Sequence, residues 1–403
     1  MVGIIRKLLV AKFGEVPQRD LDSAAGRMNQ QKVMITSNPL DHEGGVVQFC
    51  NLLLRNWQSS KIGLVHQEIG SGSSFYYNRV VRYVRYPFRY LKNVIQMRRR
   101  LRQDPSIKVL HVNPSLTLFM LIRDGILMFI ARRNNRRTIL FIHGWKEHVY
   151  NKFKTSPLSL YVFKIILRQC DEIVVLAERF REALMQLDIP PVRINVLTTM
   201  FDPSEIIKYS QRPEGSPARL LYLGRVAEIK GCGDLIDATT RLQKRKIPFT
   251  LTVAGHSDRK GFLKYCQQLV EDRGIRESVS FTGYLAGPEK WRACAEHDIF
   301  VFPSWMEGCP TAVLEALGAG LFAVCTDVGA LKEIIHEDGT EGNGRFVRVR
   351  DVEDLSEKLA WAIENLDAIS CRRDDVQSDA IQKFEVCAVV SKMEKIYKRL
   401  LDL

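Results

Sequence analysis

An apolar run that ends at a proline constrains the fold more than any other feature of this sequence. Residues 298–302 form a short run rich in β-branched and aromatic side chains, and Pro303 follows it directly. This pattern is typical of a buried strand. Pro310 suits the first position of a helix, and good helix formers follow it at residues 312–317. The stretch therefore predicts a strand, a loop and a helix in succession.

The same alternation recurs along the chain. The first half has predicted strands at residues 32–37, 62–65, 107–112, 138–142 and 172–176, and the second half has them at 219–223, 249–254, 278–281, 299–302 and 321–325. Helical stretches separate them, which indicates right-handed crossovers and parallel sheets. A length of 403 residues and 46% hydrophobic content suit two substantial cores. We expect an α/β protein with two Rossmann-like domains.

Two glutamates follow the strand that ends at Pro303. Ligands of open α/β sheets settle at the carboxyl ends of the strands, where a helix N-terminus attracts anions. The expected backbone donors are those of residues 311–313. Glu307 and Glu315 can face the same crevice, one to hold hydroxyls of a sugar and the other those of a ribose. Glutamates near helix starts are also common simply because they favour the helix dipole.

A second candidate anion site lies at residues 221–231. A strand leads to Gly224 and Arg225, and Lys230 and Gly231 precede a helix. The guanidinium and the ammonium can converge on a diphosphate, one as a fork and the other as a point charge. Solvated loop charges remain the alternative for this segment taken by itself.

Together the two segments resemble the retaining nucleotide-sugar glycosyltransferases of family 4. The family pattern is Gly-Arg, then Lys-Gly, then Pro-Ser-x-x-Glu-Gly, with a second Glu eight positions after the first. This sequence matches it with Gly224-Arg225, Lys230-Gly231, the run from Pro303 to Gly308, and Glu315. The resemblance implies the GT-B fold, with two domains facing a central cleft and a C-terminal helix that crosses back to the first domain. It also implies that no cofactor or metal is needed.

The resemblance assigns roles to individual residues. Arg225 and Lys230 would stabilise the leaving diphosphate, Glu307 would hold the sugar and Glu315 the ribose. His143 follows a predicted strand, and the resemblance implies that it contacts the transferred sugar. The other expected donor-binding residues are Gly44, Gly45, Gly224, Tyr284, Gly308, Cys309, Pro310, Thr311 and Ala312. A UDP- or GDP-linked donor and a glycan or lipid-linked acceptor are expected, as in polysaccharide biosynthesis.

Composition shifts divide the chain into four parts. Residues 1–30 form an N-terminal appendage, which either packs on the domain or lies at a membrane interface. The resemblance implies that residues 31–203 form the acceptor-binding domain and residues 204–378 the nucleotide-sugar-binding domain. It also implies that residues 379–403 form the helix that returns to the first domain. A hinge is expected at the Pro- and Gly-rich segment 212–217.

The chain is basic, with a net charge of +13, and the charge is concentrated between residues 79 and 102. The expected membrane-surface residues are Arg79, Arg82, Arg85, Arg89, Lys92, Arg98, Arg99 and Arg100. Aromatic residues among them also suit base stacking in nucleic acid. No nucleic-acid-binding motif accompanies them, so we expect an anionic membrane surface as the partner and no nucleic acid.

The cysteines and the apolar runs indicate in which cellular compartment the protein is expected. Nine cysteines show no paired or zinc-like spacing, which indicates reduced, buried thiols. No apolar run has the length of a membrane span, and the N-terminus lacks a signal-peptide pattern. We expect a cytoplasmic protein, peripheral on the inner membrane. Two other hypotheses stay open: a GT-B phosphorylase or epimerase, and a non-enzymatic binder of anionic lipid or nucleic acid on a degenerate GT-B scaffold.

Overall fold

The structure is a computed structural model that describes residues 30–42, 44–69, 79–187, 194–257 and 261–403. For residues 79–85 it describes the backbone but not the side chains. The predicted N-terminal appendage therefore lies almost wholly outside the described residues.

The first half of the chain forms a parallel sheet in the order β2-β1-β3-β4-β5-β6. Its strands are β1 (Gln31–Ser37), β2 (Ile62–Glu68), β3 (Ile107–Val112), β4 (Arg137–Ile142), β5 (Glu172–Val175) and β6 (Ile194–Val196). The connecting helices are α1 (Gly45–Arg55), α2 (Arg79–Gln103), α3 (Leu118–Arg133), α4 (Glu147–Thr155), α5 (Pro157–Arg168) and α6 (Glu178–Met185).

The strand order determines which face each of these helices covers. The step from β1 to β2 runs in the opposite direction to every later step across the sheet. Since parallel crossovers are right-handed, α1 covers one face, and α2, α3 and α5 cover the other. Buried strand residues such as Val33, Leu110 and Phe141 fill the core between these layers.

The second half forms another parallel sheet, in the order β12-β11-β10-β7-β8-β9. Its strands are β7 (Ala218–Leu223), β8 (Phe249–Ala254), β9 (Val279–Gly283), β10 (Ile299–Phe302), β11 (Phe322–Thr326) and β12 (Gly344–Val347). Its helices are α7 (Cys232–Lys244), α8 (Phe262–Asp272), α9 (Gly287–Glu296), α10 (Thr311–Gly318), α11 (Leu331–Ile334), α12 (Val352–Glu364), α13 (Leu366–Cys371) and α14 (Arg373–Phe384). The prediction of a two-sheet α/β protein is confirmed.

The chain passes between the two halves twice, at adjacent places. The Phe201 N–H donates to the Phe384 carbonyl at 3.3 Å, and the Val386 N–H donates to the Phe201 carbonyl at 2.9 Å. The last helix, α15 (Val386–Leu401), then packs on α1 and β3 of the first half. The expected return of the C-terminal helix is therefore present.

Polar contacts hold α15 on the first half. The Tyr397 hydroxyl lies 2.6 Å from Nδ1 of buried His111. Arg399 donates to the Glu172 carboxylate at 2.7 Å and to the Asn195 amide oxygen at 2.9 Å. His111 lies on β3, and Glu172 and Asn195 lie on β5 and β6, so the helix contacts strands from the middle and from one edge of the sheet.

Two further expectations are settled by burial and helix length. Seven of the nine free cysteines are buried, whereas Cys371 and Cys387 are exposed, so the expectation of buried thiols is wrong for these two. In the described ranges no helix combines the length and the apolarity needed to cross a bilayer.

Candidate functional site

Glycines join the carboxyl ends of three strands in the second sheet. The Gly224 N–H donates to the Ala254 carbonyl at 3.0 Å, and the Gly255 N–H donates to the Gly283 carbonyl at 2.7 Å. A Cβ on Gly255 would lie 1.7 Å from the Gly224 oxygen, so only glycine permits this contact. The loops after β7, β8 and β9 are thereby aligned along one edge.

The loop after β7 is interlocked with the loop after β10. Gly231 has φ +69° and a Cβ there would lie 2.1 Å from the Pro303 carbonyl oxygen. The Trp305 N–H donates to the Ile229 carbonyl at 2.9 Å. The two segments in which the sequence predicted anion sites are therefore in direct contact and form one site.

Lys230 and Glu307 form an ion pair across these two loops. Their side chains are only 13% and 11% exposed, so water screens the pair less than it screens a surface pair. Arg225 lies on the same loop with an exposed side chain, and its carbonyl accepts a hydrogen bond from Tyr222 at 2.8 Å. The structure thus brings the predicted cations and the first carboxylate to one edge.

The helix after the second loop begins one residue later than predicted. Pro310 is the N-cap residue with φ −74° and ψ 109°, and α10 starts at Thr311. The Val313 N–H donates to the Pro310 carbonyl at 3.1 Å, so it is not the anion donor that the sequence suggested. Among the described residues, the N–H groups of Thr311 and Ala312 have no backbone acceptor.

Glu315 lies inside α10 and is 4% exposed. Its carboxylate accepts hydrogen bonds from Lys290 at 2.7 Å and from Gln48 at 2.8 Å. Lys290 belongs to α9 of the second half, whereas Gln48 belongs to α1 of the first half. Glu315 therefore bridges the cleft between the two halves.

His143 lies at the carboxyl end of β4 and is 8% exposed. The Asn113 amide donates to the Thr36 carbonyl at 3.0 Å, which leaves the Asn113 oxygen to accept from Nε2 of His143 at 2.8 Å. Burial, together with neighbouring His111, lowers the pKa of His143 to about 3. His143 is thus a neutral imidazole protonated at Nε2.

The loop that carries Glu307 and Gly308 packs directly on the segment around His143. A Cβ on Gly308 would lie 2.5 Å from the His143 carbonyl oxygen. Cys309 is buried beside Thr199, with 3.4 Å between its sulfur and the Thr199 hydroxyl, and burial raises the pKa of its thiol. The loop therefore touches both halves, and Gly308, which follows Glu307 in the chain, packs on the backbone of His143.

The remaining predicted donor-binding residues lie at the rim of this cleft. Gly44 has φ +136°, and a Cβ at Gly44 or Gly45 would meet nothing within 4 Å, so the start of α1 is open. Tyr284 follows β9 and is 52% exposed, with its ring 5.6 Å from the His256 ring. Gly44, Gly45 and Tyr284 thus border open space rather than the packed centre.

The predicted membrane-surface residues whose side chains the structure describes divide into two groups. Lys92, Arg98 and Arg99 are exposed on α2. Arg89 is paired with Glu68, and Arg100 donates to the His66 carbonyl at 2.9 Å, so both contact β2 instead. The side chains of Arg79, Arg82 and Arg85 lie outside the described residues.

Sequence reasoning missed Gln48 and Lys290. Neither belongs to the motifs, and both meet Glu315 only through the tertiary fold. Gln48 stands three positions after Gly45, which offered a weak signal. No group of three His, Cys, Asp or Glu residues that could hold a metal ion occurs in the described ranges, and the expected independence from metal stays a prediction.

Comparison with protein-family models matches both halves of the chain. Residues 44–205 match the Glycosyltransferase Family 4 model, and residues 217–365 match the Glycosyl transferases group 1 model. The chain belongs to the GT-B glycosyltransferases of family 4. The resemblance to family 4 seen in the sequence motifs is thereby confirmed.

Curated relatives are distant and match in part. Glycogen synthase of Mycobacterium tuberculosis is 25% identical over 260 residues, which are 64% of this chain and 61% of the relative. The amylovoran biosynthesis glycosyltransferase AmsK of Erwinia amylovora is 26% identical over 199 residues, 48% of this chain and 47% of the relative. The chain thus spans about half to three fifths of the length of these relatives.

Solved structures show the same fold. Sucrose-phosphate synthase from Thermosynechococcus elongatus superposes with a TM-score of 0.75 at 15% identity, over 93% of this chain and all of the other. HepE of Anabaena in complex with UDP-glucose gives a TM-score of 0.68 at 16% identity, over 91% of this chain and 99% of the other. These matches establish the GT-B architecture of this chain.

Proposed function

We propose that the protein transfers a hexosyl group from a nucleotide sugar to a glycan or lipid-linked acceptor, with retention of anomeric configuration. The observation that carries the proposal is the interlocked pair of loops, in which Gly231 packs on Pro303 and Lys230 meets Glu307. This arrangement places a cation, a carboxylate and the N-terminus of α10 at one edge of the second sheet.

The charges of this edge suit a donor with a diphosphate and a sugar. When the donor binds, the Lys230 ammonium turns from Glu307 to the diphosphate, and Arg225 joins it from the same loop. Positive groups fixed in advance stabilise the charge that builds on the leaving diphosphate. Glu307, released from the lysine, then accepts hydrogen bonds from sugar hydroxyls.

The positions of Glu315 and Tyr284 suit the nucleoside part of the donor. Glu315 is fixed by Lys290 and Gln48, and a carboxylate held in this way can accept from ribose hydroxyls without reorganising. Tyr284 borders open space at the same edge, where its backbone can meet a base. The UDP and UDP-glucose complexes of HepE support a UDP-linked donor.

The placement of the carboxylates supports retention. Glu315 stays paired with Lys290, and Glu307, once Lys230 has turned to the diphosphate, is occupied by hydrogen bonds from sugar hydroxyls, so we assign neither carboxylate as a nucleophile. The opposing wall presents the neutral imidazole of His143, which can contact the sugar without forming a covalent bond to it. We expect the acceptor to attack from the face that the diphosphate leaves.

The acceptor class is inferred from relatives. AmsK is named for amylovoran biosynthesis, and a further relative, WcaL of Escherichia coli, is named for colanic acid biosynthesis and is 24% identical over 214 residues. Both names concern polysaccharides, so a role in cell-surface polysaccharide biosynthesis is proposed here. A cytoplasmic location at the inner membrane belongs to the same proposal.

The proposal is tested by incubating the chain with UDP-, GDP- and ADP-linked sugars and measuring nucleotide release with and without saccharide acceptors. We expect release from one donor class, and NMR of the product should show the anomeric configuration of the donor. Arg225→Ala should reduce turnover at least about a hundredfold because it removes a cation from the leaving group. Exposed Lys244→Ala, at the end of α7, is the matched control.

Two results would contradict the proposal. An inverted product would exclude retention, and full activity of Arg225→Ala would exclude the assigned role of that arginine. A labelled product that appears from sugar phosphate alone, or an epimerised donor without transfer, would instead favour a phosphorylase or an epimerase.

A further inference from the structure

Large apolar side chains are exposed on three helices of the first half. On α2 they are Phe88, Leu91 and Ile95, on α3 Leu118, Phe119, Ile122, Ile126 and Phe129, and on α5 Leu158, Tyr161 and Ile165. Phe88 and Leu158 are each 74% exposed, which is unusual for aromatic and aliphatic side chains grouped on one surface. We call these eleven residues the apolar face.

The three helices are neighbours, so the apolar face is one surface. The Tyr90 hydroxyl of α2 donates to the Arg123 carbonyl of α3 at 2.7 Å. On the other side of α3, a Cβ on Gly125 would lie 3.2 Å from the Ile166 side chain of α5. Helix α3 therefore lies between α2 and α5 and packs against both.

The apolar face points away from the sheet. All three helices cover the same side of the first sheet, and each buries its other stripe, for example with Met97 on α2, Leu121 on α3 and Phe163 on α5. Helix α3 is thus apolar on both its buried and its exposed side. A helix that is apolar all round is normally covered on all sides, yet these side chains of α3 are exposed in the part of the chain that the structure describes.

Charge decides what kind of partner fits. Asp124 is the single acidic residue in the three helices, and it is buried and bound bidentately by Arg123 at 2.6 and 2.8 Å. Exposed basic residues lie on the same three helices at Lys92, Arg98, Arg99, Arg102, Arg132, Arg133 and Arg168, and we call them the basic rim. Asp104 and Asp171, just beyond the helix ends, are paired with Lys32 and Arg132.

We propose that the apolar face binds the surface of an anionic lipid bilayer, with its apolar side chains between the lipids and its basic rim on the headgroup phosphates. A bilayer supplies hydrocarbon and negative charge together. A second copy packed on the same face by two-fold symmetry would bring basic rim against basic rim. Nucleic acid would satisfy the rim but would leave most of the aliphatic side chains in water.

The position of the apolar face determines where the cleft lies when the protein is bound to a bilayer. Helices of a doubly wound domain begin near the carboxyl ends of the strands, so the first turns of α3 and α5 lie on the cleft side. A molecule lying on a bilayer through this face holds its cleft close to the headgroups. The inference does not depend on the proposed transfer reaction, although an acceptor carried by a lipid would reach the cleft from there.

The test is sedimentation of the full chain with vesicles of phosphatidylcholine alone or with about one third phosphatidylglycerol, without any sugar donor. We expect at least about tenfold tighter binding to the anionic vesicles because several basic residues meet the surface. Phe119→Ser/Phe129→Ser should weaken that binding about tenfold or more at both low and high salt, since it removes apolar surface. Tyr265→Ser/Val349→Ser removes exposed apolar surface in the second half and should bind like the wild type.

A charge reversal separates the two contributions. Lys92→Glu/Arg99→Glu should weaken binding mainly at low salt, because salt screens headgroup attraction. Lys392→Glu/Lys395→Glu makes the same change on exposed positions of α15, on the opposite side of the sheet, and should have a smaller effect. Unchanged nucleotide release in solution by all four variants would show that a change in vesicle binding is separate from the proposed reaction.

Several results would overturn the inference. One is vesicle binding by Phe119→Ser/Phe129→Ser that equals that of the wild type, and another is a wild type that binds no vesicles. A dimer that Phe119→Ser/Phe129→Ser converts to a monomer would identify a second copy as the occupant. Binding to a single-stranded oligonucleotide in preference to anionic vesicles would identify nucleic acid instead.

Discussion

The second-half wall of the cleft carries charged groups on loops fixed to each other, whereas the first-half wall presents a buried neutral histidine and amide side chains. Gly231, Pro303, Lys230 and Glu307 are adjacent in space because two neighbouring parallel strands deliver their loops to one edge. His143 is instead held by Asn113. Under the proposed function, the second-half wall stabilises charge on the donor, and the first-half wall contacts its neutral groups.

The largest effect should follow loss of the cation at the centre of the charged wall. Lys230→Ala removes the ammonium and leaves Glu307 without its partner, and we expect turnover to fall about a thousandfold. Lys230→Arg should restore part of it. Steady-state kinetics with the active donor measure the change, with Lys244→Ala as the control. Equal activity of Lys230→Ala and the wild type would show that the Lys230 ammonium does not stabilise the leaving diphosphate.

The contact between the two loops can be broken without touching a charge. Gly231→Ala combines an unfavourable φ of +69° with a Cβ 2.1 Å from the Pro303 oxygen, and we expect about 2–5 kcal/mol of destabilisation and loss of donor binding. Gly215→Ala is matched, because its φ is +73° but its Cβ would meet nothing within 4 Å. Denaturant titration should show only about 1–2 kcal/mol for it; an equal loss in both variants would mean that the loop contact contributes nothing.

The neutral wall predicts a dependence of stability on pH. Burial lowers the pKa values of His111 and His143 to about 3. Between pH 6.5 and 3 the unfolded chain binds protons that the folded chain does not, so the stability present above pH 6.5 is lost as the pH falls. From pH 7 to 5 each histidine should cost about 2 kcal/mol. Chemical denaturation of His143→Gln at both pH values should show a smaller difference than the wild type; an identical difference would show that His143 is charged in the folded state.

The smallest effect should come from the contact that joins the walls. Gln48→Leu removes the hydrogen bond to Glu315 across the cleft, and we expect about tenfold weaker donor binding or turnover, with little change in stability because Lys290 still pairs with Glu315. Gln96→Leu, at an exposed position of α2, is the control for kinetics and thermal melting. If Gln48→Leu were to bind donor as the wild type does, the two walls would act independently.

The two walls also differ in how far the sequence predicts them. The charged wall was predicted almost residue by residue, because strand, glycine turn and helix lie within a dozen positions and their spacing reflects the local structure. The partners of Glu315 were not predicted, since Gln48 is 267 positions away. Strands β6 and β12 were also missed, because three- and four-residue edge strands with polar residues carry little periodicity.

The basic segment shows another limit of reasoning from charge alone. Its arginines were expected to form one outward surface, but Arg89 and Arg100 contact β2. The sequence did not predict that apolar residues of α3 and α5 are exposed, because helices in a core and helices that bind a surface share the same periodicity. Only the packing of α3 between α2 and α5 shows that these residues form a surface rather than part of a core.

The return of α15 has a consequence for how the protein forms during synthesis. Tyr397 and Arg399 complete contacts with His111 and with Glu172 and Asn195, so strands of the first half depend on residues that follow them by 204 to 286 positions. The amino-terminal half cannot reach its final packing on the ribosome until residues 386–401 have emerged from the exit tunnel. Truncation within those residues should therefore release a chain whose second half is folded and whose first half attracts chaperones.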